Sequence, residues 1–398
     1  MKKITVEDLD LHGRRVLMRV DFNVPLEGEK VANDKRIREA LPTIKYIAEK
    51  GGKLILMSHL GRPKGARVSE MSLKPCVAVL NRLLGKNVAF VDDCIGEAVE
   101  AAANELRDGD VLLLENLRYY KEETDNDAGF AEKLAKLGDM YVNDAFGTAH
   151  RAHASTEGVT HFFKQCAAGY LMVKELDYLG RVMENPARPF VAILGGAKIS
   201  GKIDVITNLL PKVDKIIIGG GMAYTFFKAR GLEIGKSLLE ADKVAYAKEI
   251  LAQGSDKLVF PVDCMVTDFF DFDARKIGTL KEVSADAIPA GWQSLDIGSK
   301  SIEAFQAVLE NARTVIWNGP MGVFEIEETA RGTFAIADLL CQATAKGATT
   351  VIGGGDSASA VNKAGLADKV SHVSTGGGAS LEFIEGKTLP GVAALTDK

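Results

Sequence analysis

Four apolar runs in the first half of the sequence each lead into a segment that carries an arginine. Val16-Leu17-Met18 runs into Arg19, Asp21, Phe22, Asn23, Val24 and Pro25, and Leu54-Ile55-Leu56-Met57 into Ser58, His59, Leu60, Gly61, Arg62 and Pro63. Val111-Leu112-Leu113-Leu114 precedes Glu115, Asn116, Leu117 and Arg118, and Met140-Tyr141-Val142 precedes Asn143, Asp144 and, further on, His150 and Arg151. If these runs are parallel strands of one sheet, their following segments lie at one end of it, where open α/β sheets bind ligands. Several guanidinium groups would then converge. Each donates two charge-assisted hydrogen bonds in one plane, which suits a carboxylate or a phosphate. A single such arginine reads more simply as a solvated strand end; the repetition is what argues for an anion site.

The second half follows its apolar runs with glycine instead: Gly195-Gly196-Ala197-Lys198, Gly219-Gly220-Gly221-Met222, Asn318-Gly319-Pro320-Met321-Gly322, Gly353-Gly354-Gly355-Asp356-Ser357 and Gly376-Gly377-Gly378. Glycine lets backbone amides approach a phosphate, and a helix that follows adds its positive end. A tight turn into a helix is the plainer reading of any one of them. Gly196 and Gly201-Lys202 nearly complete a Walker A motif, but Ile203 stands where a Ser or Thr hydroxyl would meet Mg²⁺, which argues against a P-loop enzyme. Lys198 and Lys202, four apart, are expected on one face of a helix, with both amines in reach of phosphates. Asp356 is a candidate contact for Mg²⁺, which takes one or two carboxylates beside phosphate oxygens and water, although Asp is also a common N-cap.

These groups need a rigid frame. Further apolar runs at Phe190–Leu194, Ile216–Ile218, Leu258–Phe260, Val315–Trp317 and Thr350–Ile352 are apolar on consecutive positions, as parallel strands covered on both faces must be. Helical periodicity lies between them, as in Ile37, Ala40, Leu41, Ile44, Ile47 and Ala48, so the pattern is that of repeated βαβ units. Pro42 within that stripe predicts a kink or a late helix start. A stripe at Met172, Leu176, Leu179 and Met183 ends before Asn185-Pro186 and is the expected interdomain helix. A chain of 398 residues exceeds what one core usually supports, so two domains are expected.

Composition narrows the function. The net charge is −5, without a basic block able to track a phosphodiester backbone, so nucleic acid is not an expected partner. The start meets Glu7 and Asp8 at once and no apolar span follows, so neither a signal peptide nor a membrane anchor is expected and the cytoplasm is the expected location. The five cysteines never form a C-x-x-C pair and are read as structural thiols.

The strings R-V-D-F-N-V-P (19–25), S-H-L-G-R-P (58–63), E-N-L-R (115–118), N-D-A-F-G-T-A-H-R-A-H-A-S (143–155), L-G-G-A-K (194–198), G-G-G-M-A (219–223), W-N-G-P-M-G-V-F-E (317–325), G-G-G-D-S (353–357) and S-T-G-G-G-A-S (374–380) together resemble phosphoglycerate kinase, in order and over essentially the whole chain. The resemblance implies an α/β protein of two Rossmann-like domains, with parallel sheets flanked by helices and a cleft between them. Residues 1–170 would bind 3-phosphoglycerate, 171–185 form the interdomain helix, 186–379 bind nucleotide, and the tail from about 380 to 398 return to the first domain. It implies reversible, direct in-line phosphoryl transfer between 1,3-bisphosphoglycerate with ADP and 3-phosphoglycerate with ATP, after domain closure, with Mg²⁺ carried by the nucleotide. A monomer is expected.

By the same resemblance, Asp21, Phe22, Asn23, Arg36, His59, Leu60, Gly61, Arg62, Arg118 and Arg151 form the substrate site. Lys202, Gly221, Leu295, Asn318, Glu325, Gly354, Gly355, Asp356 and Ser357 form the nucleotide site, with Asp356 on the metal. Arg36, Lys198, Gly354 and Gly377 act on the transferring group. Arg36 precedes a helix, so counting strand ends does not find it. Three positions depart from the commonest pattern of the family: Ser357 for Thr, Ser294 for Gly beside the adenine wall, and Tyr120 for His. The second could alter nucleotide affinity or the choice among purines. A nicotinamide-dependent dehydrogenase would share the architecture but needs a G-x-G-x-x-G opening a helix near the N-terminus with an acidic residue about 20 positions on, which is absent. A two-lobed binding protein would not need glycine loops of phosphate type in one half and arginines in the other.

Overall fold

Runs of Val, Ile and Leu without polar alternation can hide both faces only beneath helices. Each run forms or contributes to a parallel strand, most of them buried, in the computed structural model, which describes residues 2–398. In the first half the strands are β1 (Arg15–Arg19), β2 (Lys53–Met57), β3 (Ala89–Val91), β4 (Val111–Leu114), β5 (Met140–Asn143) and β6 (Cys166–Ala168). They form one six-stranded sheet in the order β3-β4-β2-β1-β5-β6. The four arginine-bearing runs are therefore adjacent and parallel, with Arg19 paired to Met57 on one side and Asn143 on the other.

The second half places β7 (Phe190–Leu194), β8 (Lys215–Ile218) and β9 (Leu258–Val259) before a three-stranded antiparallel sheet of β10 (Asp263–Thr267), β11 (Leu280–Ser284) and β12 (Gln293–Ile297). Then come β13 (Thr314–Asn318), β14 (Thr349–Gly353) and β15 (His372–Val373), and the six parallel strands order as β9-β8-β7-β13-β14-β15. Counted within this half, that is the 3-2-1-4-5-6 order of the doubly wound nucleotide-binding fold, whose crevice opens where the order reverses, between β7 and β13. The antiparallel sheet was not legible as strands, because β11 is exposed or half-buried throughout and β12 reads Gln-Ser-Leu-Asp-Ile.

The chain divides into two compact units, one running to Asp177 and including Thr388–Lys398, the other Tyr178–Lys387. The division falls inside the helix Tyr170–Glu184. The returning tail starts later than about 380, because the helix Gly378–Ile384 packs on the helix Ile203–Leu209 of the second unit, where the Asn208 amide donates to the Ile384 carbonyl. From Thr388 onward the tail belongs to the first unit. Buried Lys3 donates to the Leu395 carbonyl at 2.7 Å, and Gly391 donates its amide to the Ala149 carbonyl at 2.8 Å.

Pro42 neither delays nor ends its helix, which runs Lys35–Glu49. The proline is exposed, while Ile37, Ala40, Thr43, Ile44 and Ile47 form the buried face. The missing N–H thus falls on the wet side, where water satisfies the carbonyl it leaves free. All five cysteines are free, and burial raises the thiols of Cys76, Cys94, Cys166 and Cys264. No helix among the described residues is long and apolar enough to cross a membrane.

Candidate active site

In the first unit the loops after β1, β2 and β4 are tied together by side chains that come from the strand ends themselves. Ser58 Oγ accepts the Phe22 amide at 2.8 Å, Asn23 Oδ1 accepts the Gly61 amide at 2.9 Å, and Asn116 Nδ2 donates to the Leu60 carbonyl at 2.7 Å. Arg118 donates to the Gly61 carbonyl at 2.8 Å. Phe22 and Leu60 are buried in the core. Asp21 accepts from Arg36, which sits in the first turn of the helix Lys35–Glu49 just past Asp34. Arg62 and Arg151 project from the surface, and Arg151 Nε lies 3.2 Å from His150 Nε2.

Arg19 does not join this cluster at the surface. It is fully buried, with Nε donating to Ser155 Oγ at 2.8 Å, one terminal nitrogen to the Val20 carbonyl and the other 3.1 Å from His59 Nδ1. Ser155 in turn donates to Glu123 at 2.6 Å, and Glu123 lies 4.0 Å from Arg19. The expectation of four strand-end guanidiniums facing one ligand is thereby corrected: Arg36, Arg62, Arg118 and Arg151 remain available, and Arg19 braces His59 from beneath. Its burial is possible because Glu123 is buried with it.

The electrostatics follow from that brace. Burial pushes the His59 imidazole well below the usual histidine range, and Arg19, Arg118 and Arg36 push the same way. His59 is therefore neutral, and since a guanidinium can only donate, Nδ1 is the acceptor and the ring proton sits on Nε2. Burial, and after it Arg118, Arg19 and Arg151, bring His153 down to about 3. Arg118 is lowered to about 10, first by burial and then by Arg19, and stays charged; its Nε is buried without a partner. The site is an array of donors with net positive charge, built for an anion.

In the second unit the loop glycines differ in what surrounds them. A Cβ on Gly195 would come within 2.2 Å of the Pro320 carbonyl oxygen, and one on Gly319 within 2.2 Å of the Gly195 oxygen. Gly220 and Gly221 similarly press on Gly196 and Ala197, so these glycines let the loops after β7, β8 and β13 lie against one another. Gly354, Gly355 and Gly377 differ: nothing lies near a Cβ on Gly355 or Gly377, and on Gly354 it would meet only the Asn318 amide, at 3.2 Å. Gly354 has φ +86 and caps the helix Gly355–Lys363, a conformation that aims the first-turn amides outward. These glycines, like Gly196, leave open space beside their backbone.

Lys202 donates to Asn318 Oδ1, while Asn318 Nδ2 is buried without a partner. Burial holds the Lys202 amine down to about 8. Lys198 does not share a helix face with it. The short turn Ser200–Lys202 intervenes before the helix Ile203–Leu209, and Lys198 stands exposed on the preceding loop. Ser357 is fully buried and its hydroxyl accepts the Gly319 amide at 2.6 Å, so it ties two loops together rather than lining the open face. Asp356 lies exposed in the first helical turn, and Glu325 is half-buried after β13. Leu295, on β12, is buried, and its carbonyl accepts the Val323 amide at 2.8 Å. Ser294 is turned inward, accepting from the Tyr224 hydroxyl at 2.6 Å, and Tyr120 donates to Asp93 at 2.9 Å.

No group of three or more His, Cys, Asp or Glu suited to a metal occurs among the described residues. A lone exposed carboxylate beside open backbone amides fits a metal that arrives with the nucleotide's phosphates.

The phosphoglycerate kinase family profile matches residues 6–387. The chain is 59% identical to a phosphoglycerate kinase of Chloroherpeton thalassium over the whole of both chains. It is 58% identical to the cytosolic phosphoglycerate kinase of Triticum aestivum, covering 99% of this chain and 98% of that one. Among solved structures, phosphoglycerate kinase from Coxiella burnetii superposes with a TM-score of 0.88 at 39% identity, and that from Pyrococcus horikoshii with 0.84 at 34%, each covering 98% of both chains. Architecture, site chemistry and similarity over the full length converge, and the chain belongs to the phosphoglycerate kinase family.

Proposed function

We propose that the protein catalyses its family's reaction, reversible phosphoryl transfer between 1,3-bisphosphoglycerate with ADP and 3-phosphoglycerate with ATP, with the sugar-acid on the first unit and the nucleotide on the second. The observation that carries the assignment of halves is the contrast between them: guanidiniums and a neutral Nε2-protonated His59 in one, open glycine amides and Lys202 in the other.

In the ATP-consuming direction a carboxylate oxygen of 3-phosphoglycerate attacks the γ-phosphorus, and the bond from that phosphorus to the β,γ-bridging oxygen breaks, leaving ADP. A carboxylate is already ionised near neutral pH, since its ordinary pKa is about 4. No general base is needed. What remains is positioning and charge stabilisation. Asp21, Asn23, His59, Arg62, Arg118 and Arg151 orient the acceptor, and Phe22, Leu60 and Gly61 offer backbone. Arg36 and Lys198 hold the equatorial oxygens of the transferring group, together with amides near Gly354, Gly355 and Gly377. Gly221, Leu295, Asn318, Glu325 and the amide of Ser357 hold the nucleotide. Mg²⁺, bound by the phosphates and Asp356, would neutralise charge on the nucleotide. Because acceptor and donor are held by different units, direct transfer requires the units to bring them together. A cytoplasmic monomer is the expected form; the wheat relative is described as cytosolic.

A coupled assay with 3-phosphoglycerate, ATP and Mg²⁺, each omitted in turn, tests this reading: turnover should require all three. ATP hydrolysis that persists without 3-phosphoglycerate would reduce the protein to an ATPase.

The depressed Lys202 amine gives a second expectation. A polyphosphate beside it favours the ammonium form and so raises its pKa. Binding of MgATP near pH 8, where the free amine is about half neutral, should therefore take up protons, and affinity should fall as pH rises through about 8. Titration calorimetry in two buffers of different ionisation enthalpy measures the uptake. Lys202→Met should abolish it.

A further inference from the structure

Strand β12 does not pair evenly with β10. Cys264 faces Ile297 and Met265 faces Asp296, but Val266 faces Ser294, so the register shifts and Leu295 has no partner. This is a β-bulge, a device that re-aims one side chain at the expense of local pairing. Its flanks are held from beneath. The Ser294 amide donates to Ser237 Oγ at 3.0 Å, and the Tyr224 hydroxyl donates to Ser294 Oγ at 2.6 Å. Asp296 accepts the Ile297 and Gly332 amides at 2.9 and 2.7 Å. Tyr224, Ser237 and Asp296 are all buried.

These bonds join segments that are distant in sequence. Tyr224 belongs to the helix Met222–Ala229, which begins directly after Gly219-Gly220-Gly221. Leu295 is tied through its carbonyl to Val323, two residues before Glu325. The glycine loop, the bulged strand and the segment carrying Glu325 thus form one hydrogen-bonded unit with Leu295 at its centre. A regular strand would need none of these side-chain anchors, because its ladder would hold it.

We propose that Tyr224 and Ser237 are positioning residues that determine nucleotide specificity: by holding the bulge at Leu295 they set one wall of the purine pocket, and so the preference between adenine and guanine nucleotides. The proposal rests on the assignment of Gly221, Leu295 and Glu325 to the nucleotide. Neither residue is placed on the transferring phosphoryl group, so the effect falls on nucleotide binding and not on the chemical step.

Tyr224→Phe removes only the hydroxyl and leaves the ring edge-on to Phe227, 5.7 Å away between centroids. Loss of one such hydrogen bond should raise KM for MgATP by about three- to tenfold. The ratio of kcat/KM for ATP over GTP should fall, with kcat and KM for 3-phosphoglycerate unchanged. A role in stability alone would lower Tm without moving the ATP-to-GTP ratio, and that result overturns the proposal. Leu295→Ala separates the two layers of the argument. If it changes the ratio while Tyr224→Phe does not, the nucleotide assignment stands and the positioning role fails; if neither variant changes it, both fail. Should Tyr224→Phe not fold, Ser237→Ala, which removes the acceptor of the Ser294 amide, carries the same test.

Discussion

Arg36→Ala is expected to lower kcat by about 10²–10³-fold, the usual loss when one preorganised donor to transition-state charge is removed. Arg36 opens the helix Lys35–Glu49 and is gripped by Asp21, whose other oxygen accepts the Asn23 amide at 3.2 Å. That grip fixes the direction of the planar fork before substrate arrives. With 37% of its side chain exposed, Arg36 is not a core element, so its removal should lower the unfolding midpoint less than loss of a fully buried charge would, although Asp21 loses its partner. Lysine should not rescue activity, since an ammonium is a point charge that cannot span two phosphoryl oxygens in a plane. Steady-state kinetics of Arg36→Ala and Arg36→Lys, beside urea unfolding of both, separate the catalytic loss from a folding defect. Near-normal kcat in Arg36→Ala would remove Arg36 from the mechanism.

Arg19→Met should produce the opposite profile, a stability loss of about 3–5 kcal/mol, because it strands a buried charge. Glu123 is fully buried, and Arg19 together with Ser155 is what balances it. Urea unfolding of Arg19→Met, Glu123→Gln and the double variant forms a cycle in which the double should cost less than the sum of the singles. Additive losses would mean that the pair is not coupled. The same substitution frees His59 Nδ1 from its donor, so the proton need no longer sit on Nε2 and KM for 3-phosphoglycerate should rise as well.

Arg19 also marks the limit of reading sites from spacing. It follows the same kind of apolar run as the loops of Arg62, Arg118 and Arg151, but comes directly after the run instead of several residues beyond it. The difference is geometric. Arg19 is the last residue of β1, a central strand flanked by β2 and β5, and it points into the sheet's end rather than off a loop beyond it. Glu123, its counter-charge, lies more than a hundred positions away in a Lys-Glu-Glu-Thr stretch that looks like solvated helix. Ser294 shows the converse. As a departure from the family pattern it could alter nucleotide affinity or the choice among purines, and its hydroxyl, turned to Tyr224, acts there through the bulge it anchors.

The sequence alone determined the α/β class, the central strands, the separation into arginine-bearing and glycine-bearing halves, and the chemistry those halves imply. These depend on short-range facts: runs apolar on consecutive positions, the residue types that follow them, and the reach of a guanidinium or a bare amide. Tertiary structure alone decided which of those residues face outward. It distinguished Gly354, Gly355 and Gly377, open beside their backbone, from glycines that serve loop packing, buried Arg19 beneath the loops, turned the Ser357 hydroxyl onto the Gly319 amide, put a short turn between Lys198 and Lys202, and placed a bulge at Leu295. Such distinctions rest on contacts between segments far apart in the chain, and burial of a polar group is permitted or forbidden by its partner rather than by its neighbours in sequence.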